Sequence, residues 1–324
     1  MTDEKLMNVP QSLGVLITYY NEKEMLTECL DSLFSDPNCT PEEVLVYDDA
    51  SQYPAEHYIP KDRSVRVIRG ASNRGPAHGR NELLKANRSD YIHFHDSDDL
   101  FMKHWCSELK KAIHTSQADM VLTEITSYKH SKLYRERVIG LKKLKPDSDI
   151  VSFCIRNNLL TDSGTYRKAA VLKVGGYRES LWQSEDYDFH IRMAASVKSF
   201  FVIYEPMVII RVREESRSAA GREVWSCALN SIQLLSEEIP AKYYPDLSWM
   251  AHFTGSKLFK LGETRKAREA FKLSYRLGTP DYSDQRWMYC VTAKIFGPEI
   301  AERLGAFYRA ILPQTIRRFF RAWH

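Results

Sequence analysis

The chain has 324 residues, 44% hydrophobic and 27% charged, ordinary proportions for a soluble globular protein with room for one large domain and a smaller appendage. Its formal charge of +4 suits an anionic ligand or a membrane surface and falls short of the basic footprint of a nucleic-acid binder. Six cysteines (Cys29, Cys39, Cys106, Cys154, Cys227, Cys290) without a Cys-x-x-Cys pair, an N-terminus unlike a signal peptide and no apolar run of about 18 residues predict a reducing, cytoplasmic setting without zinc site, disulfide framework or membrane span.

In chain order, Leu13 to Thr18 is a nearly continuous apolar run, the pattern of a parallel strand covered on both faces. From Glu22 to Phe34, the residues Met25, Leu26, Cys29, Leu30 and Leu33 recur at helical spacing. Val44 to Tyr47 and Val65 to Ile68 read as further strands, the first ending in Asp48-Asp49-Ala50-Ser51 and the second in Gly70 to Gly75. Pro76 to Ala86 reads as a helix, Tyr91 to His95 as a fourth strand, Met102 to Ile113 as a helix and Asp119 to Glu124 as a fifth strand. The alternation predicts a doubly wound, Rossmann-like α/β sheet.

The fourth strand runs into Asp96-Ser97-Asp98-Asp99, where the period-two alternation sends Asp96 and Asp98 the same way. Two hard oxygen ligands so placed can share one divalent ion; a solvated acidic turn is the plainer alternative. Thr18 and Tyr20, Asp48 and Asp49, Asn73 and Arg80, and Asp96 and Asp98 all follow the carboxyl ends of successive strands, the edge at which open parallel sheets bind ligands. Carboxylates for donors and metal, an arginine for phosphate and an aromatic for a base together fit a nucleoside diphosphate with metal. Thr18-Tyr19-Tyr20-Asn21 stands where a dinucleotide dehydrogenase has Gly-x-Gly-x-x-Gly, and there is no P-loop.

Leu16-Ile-Thr-Tyr-Tyr-Asn21, Val46-Tyr-Asp-Asp-Ala-Ser51, Asn73-Arg-Gly75 with Arg80-Asn81, and His95-Asp-Ser-Asp-Asp99 resemble, in order and spacing, the family 2 inverting glycosyltransferases of GT-A fold. The resemblance continues through Tyr166-Arg-Lys, Gly175-Gly-Tyr177 and Glu185-Asp186 to Arg211, covering roughly the first two thirds of the chain. It implies a nucleotide-sugar donor, with Thr18, Tyr20 and Asp49 around the nucleoside, Asn73 and Asp96 also binding the donor, and Asp48 serving structurally. Arg80 is implied at the donor base or phosphate, although a helix position equally allows solvent or a pair with Glu82 or another surface acid. Asp98, helped by Asp96, is implied as the ligand of Mg²⁺ or Mn²⁺. Asp186 is implied as the general base, beside the alternative that Glu185 and Asp186 only stabilise the start of a helix capped by Ser184. Trp182, Glu185 and Gly164 would border the acceptor. Many relatives carry Tyr-Arg-x-His after the last strands, here Phe200 to Tyr204 and Met207 to Ile210, with the histidine on the metal; this chain has Arg213 there, which cannot ligate a cation, so either Asp96, Asp98 and the diphosphate alone hold the metal or Arg213 itself meets phosphate.

Past Arg213 the polar stretch to Arg222 reads as a linker, dividing a catalytic domain (1–215) from a helical region (216–324). Leu258, Leu261, Ala267, Ala270, Phe271 and Leu277, broken by Gly262 and Gly278, read as a helical hairpin resembling one tetratricopeptide unit. Arginines and aromatics mix from Arg309 to Trp323, which suits either a helix packed on the protein or peripheral contact with the cytoplasmic membrane face. Two functions are expected: transfer of a sugar, from a UDP-sugar by preference, to a hydroxyl of a glycan or lipid-linked acceptor, or a non-catalytic glycan-binding or scaffolding role on the same fold. Neither involves nucleic acid.

Overall fold

The computed structural model describes residues 11–129, 132–137, 139–145, 147–212, 221–280, 282 and 287–311, and the chain forms two compact units, Met1–Ala219 and Ala220–His324. The expected boundary near residue 215, Arg213 and the tail beyond Ile311 fall outside the described residues.

In the first unit, β1 (Leu13–Tyr19) leads to α1 (Glu24–Leu33), β2 (Glu43–Asp48), β3 (Arg66–Arg69), α2 (Pro76–Ala86), β4 (Tyr91–Asp96), the short β5 (Leu100–Phe101) and α3 (Trp105–Ser116). There follow β6 (Met120–Lys129), β7 (Lys132–Arg137), α4 (Ile150–Arg156), β8 (Gly164–Arg167), α5 (Lys168–Lys173), α6 (Glu185–Ser196) and β9 (Phe200–Arg211). Leu13, Val15, Leu16 and Ile17 of β1 are fully buried, as are Tyr91, Ile92 and Phe94 of β4, which is why both strands read as unbroken apolar runs. The sheet order is β3-β2-β1-β4-β8-β6-β9-β5, with β7 on β6. The parallel registers set Thr18 beside Asp96 and Tyr19 beside Asp48, so the polar strand ends meet at one edge.

Three expectations are corrected. The sheet is mixed rather than wholly parallel: β8 runs antiparallel between β4 and β6, and β5 antiparallel to β9. With only four residues, β8 is too short for a periodicity to reveal. The two expected last strands are one strand, β9, because register shifts around Glu124 take up Pro206, which has no N–H for the ladder. Finally, Cys39 and Cys106 form a disulfide with Cα atoms 5.7 Å apart. They are 67 residues apart in sequence, so no spacing rule marks them, and the reducing-compartment reading loses the support it drew from cysteine spacing. Cys29, Cys154, Cys227 and Cys290 are outside this disulfide.

The second unit consists of α7 (Gly221–Glu238), α8 (Tyr244–Lys260), α9 (Thr264–Leu277), α10 (Trp287–Phe296) and α11 (Pro298–Ile311). The expected hairpin is α8 with α9, turning at Gly262, whose φ of +83° suits a residue without Cβ. A Cβ on Gly255 would lie 2.7 Å from the Phe271 ring, so glycine sets the closeness of these helices, and Ser248 and Ser274 exchange hydrogen bonds across the contact (2.9 and 2.7 Å). Among the described residues no helix is long and apolar enough to cross a membrane.

Candidate active site

The loops after β1, β2 and β3 form one wall of the site. Asp48, fully buried, accepts from the Ser51 and Ala55 N–H groups (2.8 and 3.0 Å) and from Arg69 Nη1 (2.7 Å), and so knits its own loop together. Asp49 accepts from the backbone N–H groups of Arg74 (2.9 Å) and Gly75 (2.8 Å), clamping the loop that presents the exposed Asn73. Each carboxylate oxygen keeps a second lone pair, so this clamp leaves acceptor capacity for a ligand N–H. Gly75 has φ +83°, and a Cβ there would come within 2.9 Å of the Trp182 ring; the exposed indole therefore rests on the loop that Asp49 holds. Tyr20 is also exposed, at 47%. Asn21, Lys23 and Ala50 in these loops, and Ser184 just before α6, have positive φ, a conformation that costs non-glycine residues on the order of 1–3 kcal/mol each.

At the centre is Arg80, brought in by α2 and only 2% exposed. Its Nη2 donates to Asp96 Oδ1 (2.8 Å), its Nη1 to Glu185 Oε1 (2.9 Å), and its guanidinium lies 5.0 Å from the Tyr177 ring centre. Of the readings left open for Arg80, neither solvent nor Glu82 is its partner. Asp96 also accepts from Thr18 Oγ1 (3.1 Å). Burial alone would raise the Asp96 carboxyl, but the Arg80 charge outweighs it and holds the group below the usual carboxylate range.

Glu185 and Asp186 open α6, as expected from the sequence. Ser184 precedes them with φ +61° and makes no side-chain cap, so the expected cap is corrected: the backbone turns there in the left-handed region, where the usual N-cap geometry is lost. Asp186 Oδ1 accepts from the Tyr187 N–H (2.7 Å). Burial and then repulsion from Glu185 push its carboxyl up to about 7, against the pull of Arg80. Asp188 points away and pairs with Arg178 and Arg192.

Beneath Asp96 lies a support that the sequence did not disclose. Asp162 Oδ1 accepts from the Asp96 backbone N–H (2.8 Å) and meets His95 Nδ1 at 2.9 Å, all three being buried or half-buried. Asp162 comes from a turn before β8 that carries no motif. Glu179, also unforeseen, bonds Arg74 (2.9 Å), His78 (3.0 Å) and Asn81 (3.1 Å), tying the Asn73 loop to α2. Glu22 accepts from Ser97 Oγ (3.1 Å), and Asp99 accepts from the Arg211 N–H (2.8 Å). Burial, then Asp162 and Asp98, raise the Asp99 carboxyl well above its ordinary range.

Asp96 and Asp98 are hard oxygen donors of the kind Mg²⁺ or Mn²⁺ takes, and both bonds to Asp96 fall on Oδ1. Among the described residues no three His, Cys, Asp or Glu side chains converge into a ready cage. An ion here would draw its remaining ligands from a diphosphate and water, which fits a site of this composition.

Residues 14–170, from β1 to the start of α5, match the family model described as glycosyl transferase family 2. The match takes in just under half of the chain and marks it as similar to this family. A glycosyltransferase of Methanocaldococcus jannaschii, itself uncharacterised, is 25% identical over 214 residues, 64% of this chain and 72% of the relative. Against other curated relatives the chain spans about a third of their length. Among solved structures, residues 1–349 of Staphylococcus aureus TarS in complex with UDP-GlcNAc share the fold at TM-score 0.68, with 18% identity and 92% of each chain covered. The mannosyltransferase PcManGT of Pyrobaculum calidifontis, in complex with GDP-Man and Mn²⁺, does so at 0.57, with 13% identity over 94% of this chain and 89% of that one. The fold is thus GT-A, and the match and these relatives support a glycosyltransferase. The family match takes in Thr18, Asp49, Arg80, Asp96 and Asp98 and stops before Asp186.

Proposed function

We propose that this protein is a family 2 glycosyltransferase that moves a sugar from a nucleoside diphosphate, a UDP-sugar by preference, to a hydroxyl of a glycan or lipid-linked acceptor, inverting the anomeric centre with Asp186 as general base. The observation that carries the reading is the Arg80 bridge from Asp96, at the end of β4, to Glu185, which places a carboxyl raised to about 7 beside the strand edge. In this reading Thr18, Tyr20, Asp49 and Asn73 hold the nucleoside. Arg80, with both ends of its guanidinium committed, positions Asp96 and Glu185 in place of reaching the donor itself. Trp182 offers a flat apolar face to the acceptor ring, with Glu185 behind it. Asp186 takes the proton of the attacking hydroxyl, whose oxygen joins the anomeric carbon as the nucleoside diphosphate leaves from the opposite face. Asp98 and Asp96 would hold a divalent ion, which would supply neutralisation of charge on the departing diphosphate.

Calorimetry tests the donor and metal parts together. UDP affinity should fall when Mn²⁺ is chelated, and Asp98→Asn should bind UDP as weakly with metal as the unaltered protein does without it. Equal UDP binding with and without Mn²⁺ would remove the metal from the reading and leave Arg213 as the phosphate partner to examine. Product stereochemistry adds a second test: an α-linked donor should yield a β-linkage, whereas a glycan-binding protein without catalysis yields no product.

Peripheral membrane contact through residues 309–323 belongs to the same proposal. Replacing Phe319 and Phe320 by Ser should reduce sedimentation with anionic vesicles at low salt. Unchanged sedimentation would exclude the tail as the contact.

A further inference from the structure

The paired helices α10 and α11 present an apolar stripe that their own packing does not use. Trp287, Val291 and Ile295 follow one another at one-turn intervals on α10 and are 62, 47 and 65% exposed. Ile300, Leu304 and Phe307 do so on α11, at 43, 53 and 64%. The other side of the pair is already satisfied, since Tyr289 and Cys290 pack against Tyr282, Ala293 and Ala301. Single exposed hydrophobics need no explanation, but three at turn spacing on each of two successive helices mark an interaction surface.

Charge identifies the partner. On the described part of these helices Lys294 and Arg303 stand against Glu299 and Glu302. The two acids do not offset the basic side chains at the surface: Glu299 pairs with Arg268 (2.9 Å), and Glu302 is buried beside Lys260. Lys294 and Arg303, by contrast, are exposed next to the stripe. Exposed apolar groups with exposed cations beside them suit a plane with hydrocarbon beneath anionic head groups.

We propose that α10 and α11 form a docking face for the surface of an anionic lipid bilayer. The inference deepens the reading of a lipid-linked acceptor, which it rests on for its purpose but not for its geometry. It reaches beyond the tail to a pair of folded helices lying flat on the interface.

The test is flotation of the full-length protein with vesicles of phosphatidylcholine, with and without phosphatidylglycerol, beside a variant carrying Ile295→Ser, Leu304→Ser and Phe307→Ser. The unaltered protein should float with the anionic vesicles only, and less so at high salt. The variant should lose roughly tenfold or more of that binding, since three interfacial apolar groups are removed, while its melting temperature stays unchanged. No flotation of the unaltered protein, or equal flotation of the variant, overturns the proposal. So does a variant that turns a dimer into a monomer, which would assign the face to a second copy of the chain, or one that melts markedly lower, which would assign it to the chain's own C-terminal residues. UDP binding measured on the same samples keeps the two readings apart: its loss speaks against the proposed donor, and vesicle binding alone speaks to the docking face.

Discussion

Asp186→Asn is expected to retain UDP binding while kcat falls about a hundredfold or more, the usual scale for removal of a general base. The reaction needs this carboxyl unprotonated, and its value of about 7 sets the pH window. kcat/KM of the unaltered enzyme should therefore climb as pH rises through about 7 and level off above it, and the Asn variant should lose that limb. Stability should run the opposite way. A carboxyl raised above its unfolded value of about 3.9 lends stability that is complete at acid pH and is lost as pH rises through the folded value. At about pH 8 the Asn variant should thus melt higher than the unaltered protein, and the difference should vanish in acid. A rate loss without loss of the pH limb, or a variant that melts lower at every pH, would return Asp186 to the role of an acid stabilising the start of α6.

Arg80→Met should be the most damaging single change to the first unit. It removes the cation shared by Asp96 and Glu185 and leaves two carboxylates facing each other beside Asp186. Breaking a buried pair from one side costs about 3–5 kcal/mol; because the Asp96 side chain is 36% exposed, the lower end applies. Melting should fall by roughly 5–10 °C for a domain of this size. Arg80→Lys separates charge from geometry. A single ammonium cannot span both carboxylates as the guanidinium fork does, so the fold should survive while kcat drops. In Arg80→Met, with less positive charge near Asp186, the pH limb should also move to higher pH. If Arg80→Met melts within a degree or two of the unaltered protein, the bridge is not what holds these elements together.

The sequence by itself determined the elements whose information is local: β1 and β4 as buried strands, α1 and α2 from helical spacing, the α8 and α9 hairpin between Gly262 and Gly278, and the gathering of polar residues at the strand ends. Each depends on side-chain periodicity or turn chemistry within a dozen residues, which backbone geometry converts directly into structure. Tertiary structure alone decided the partners. Arg80 found Glu185 across 105 residues, and Asp162 came under Asp96 across 66. The four residues of β8 entered the sheet between β4 and β6, and Cys39 met Cys106. Such pairings follow from how distant segments close on a common core, and a buried charge takes whichever opposite charge that closure brings within reach. The functional state of Asp186 is of this kind: the Glu-Asp pair is visible in the chain, but burial, Glu185 and Arg80 together set its proton affinity.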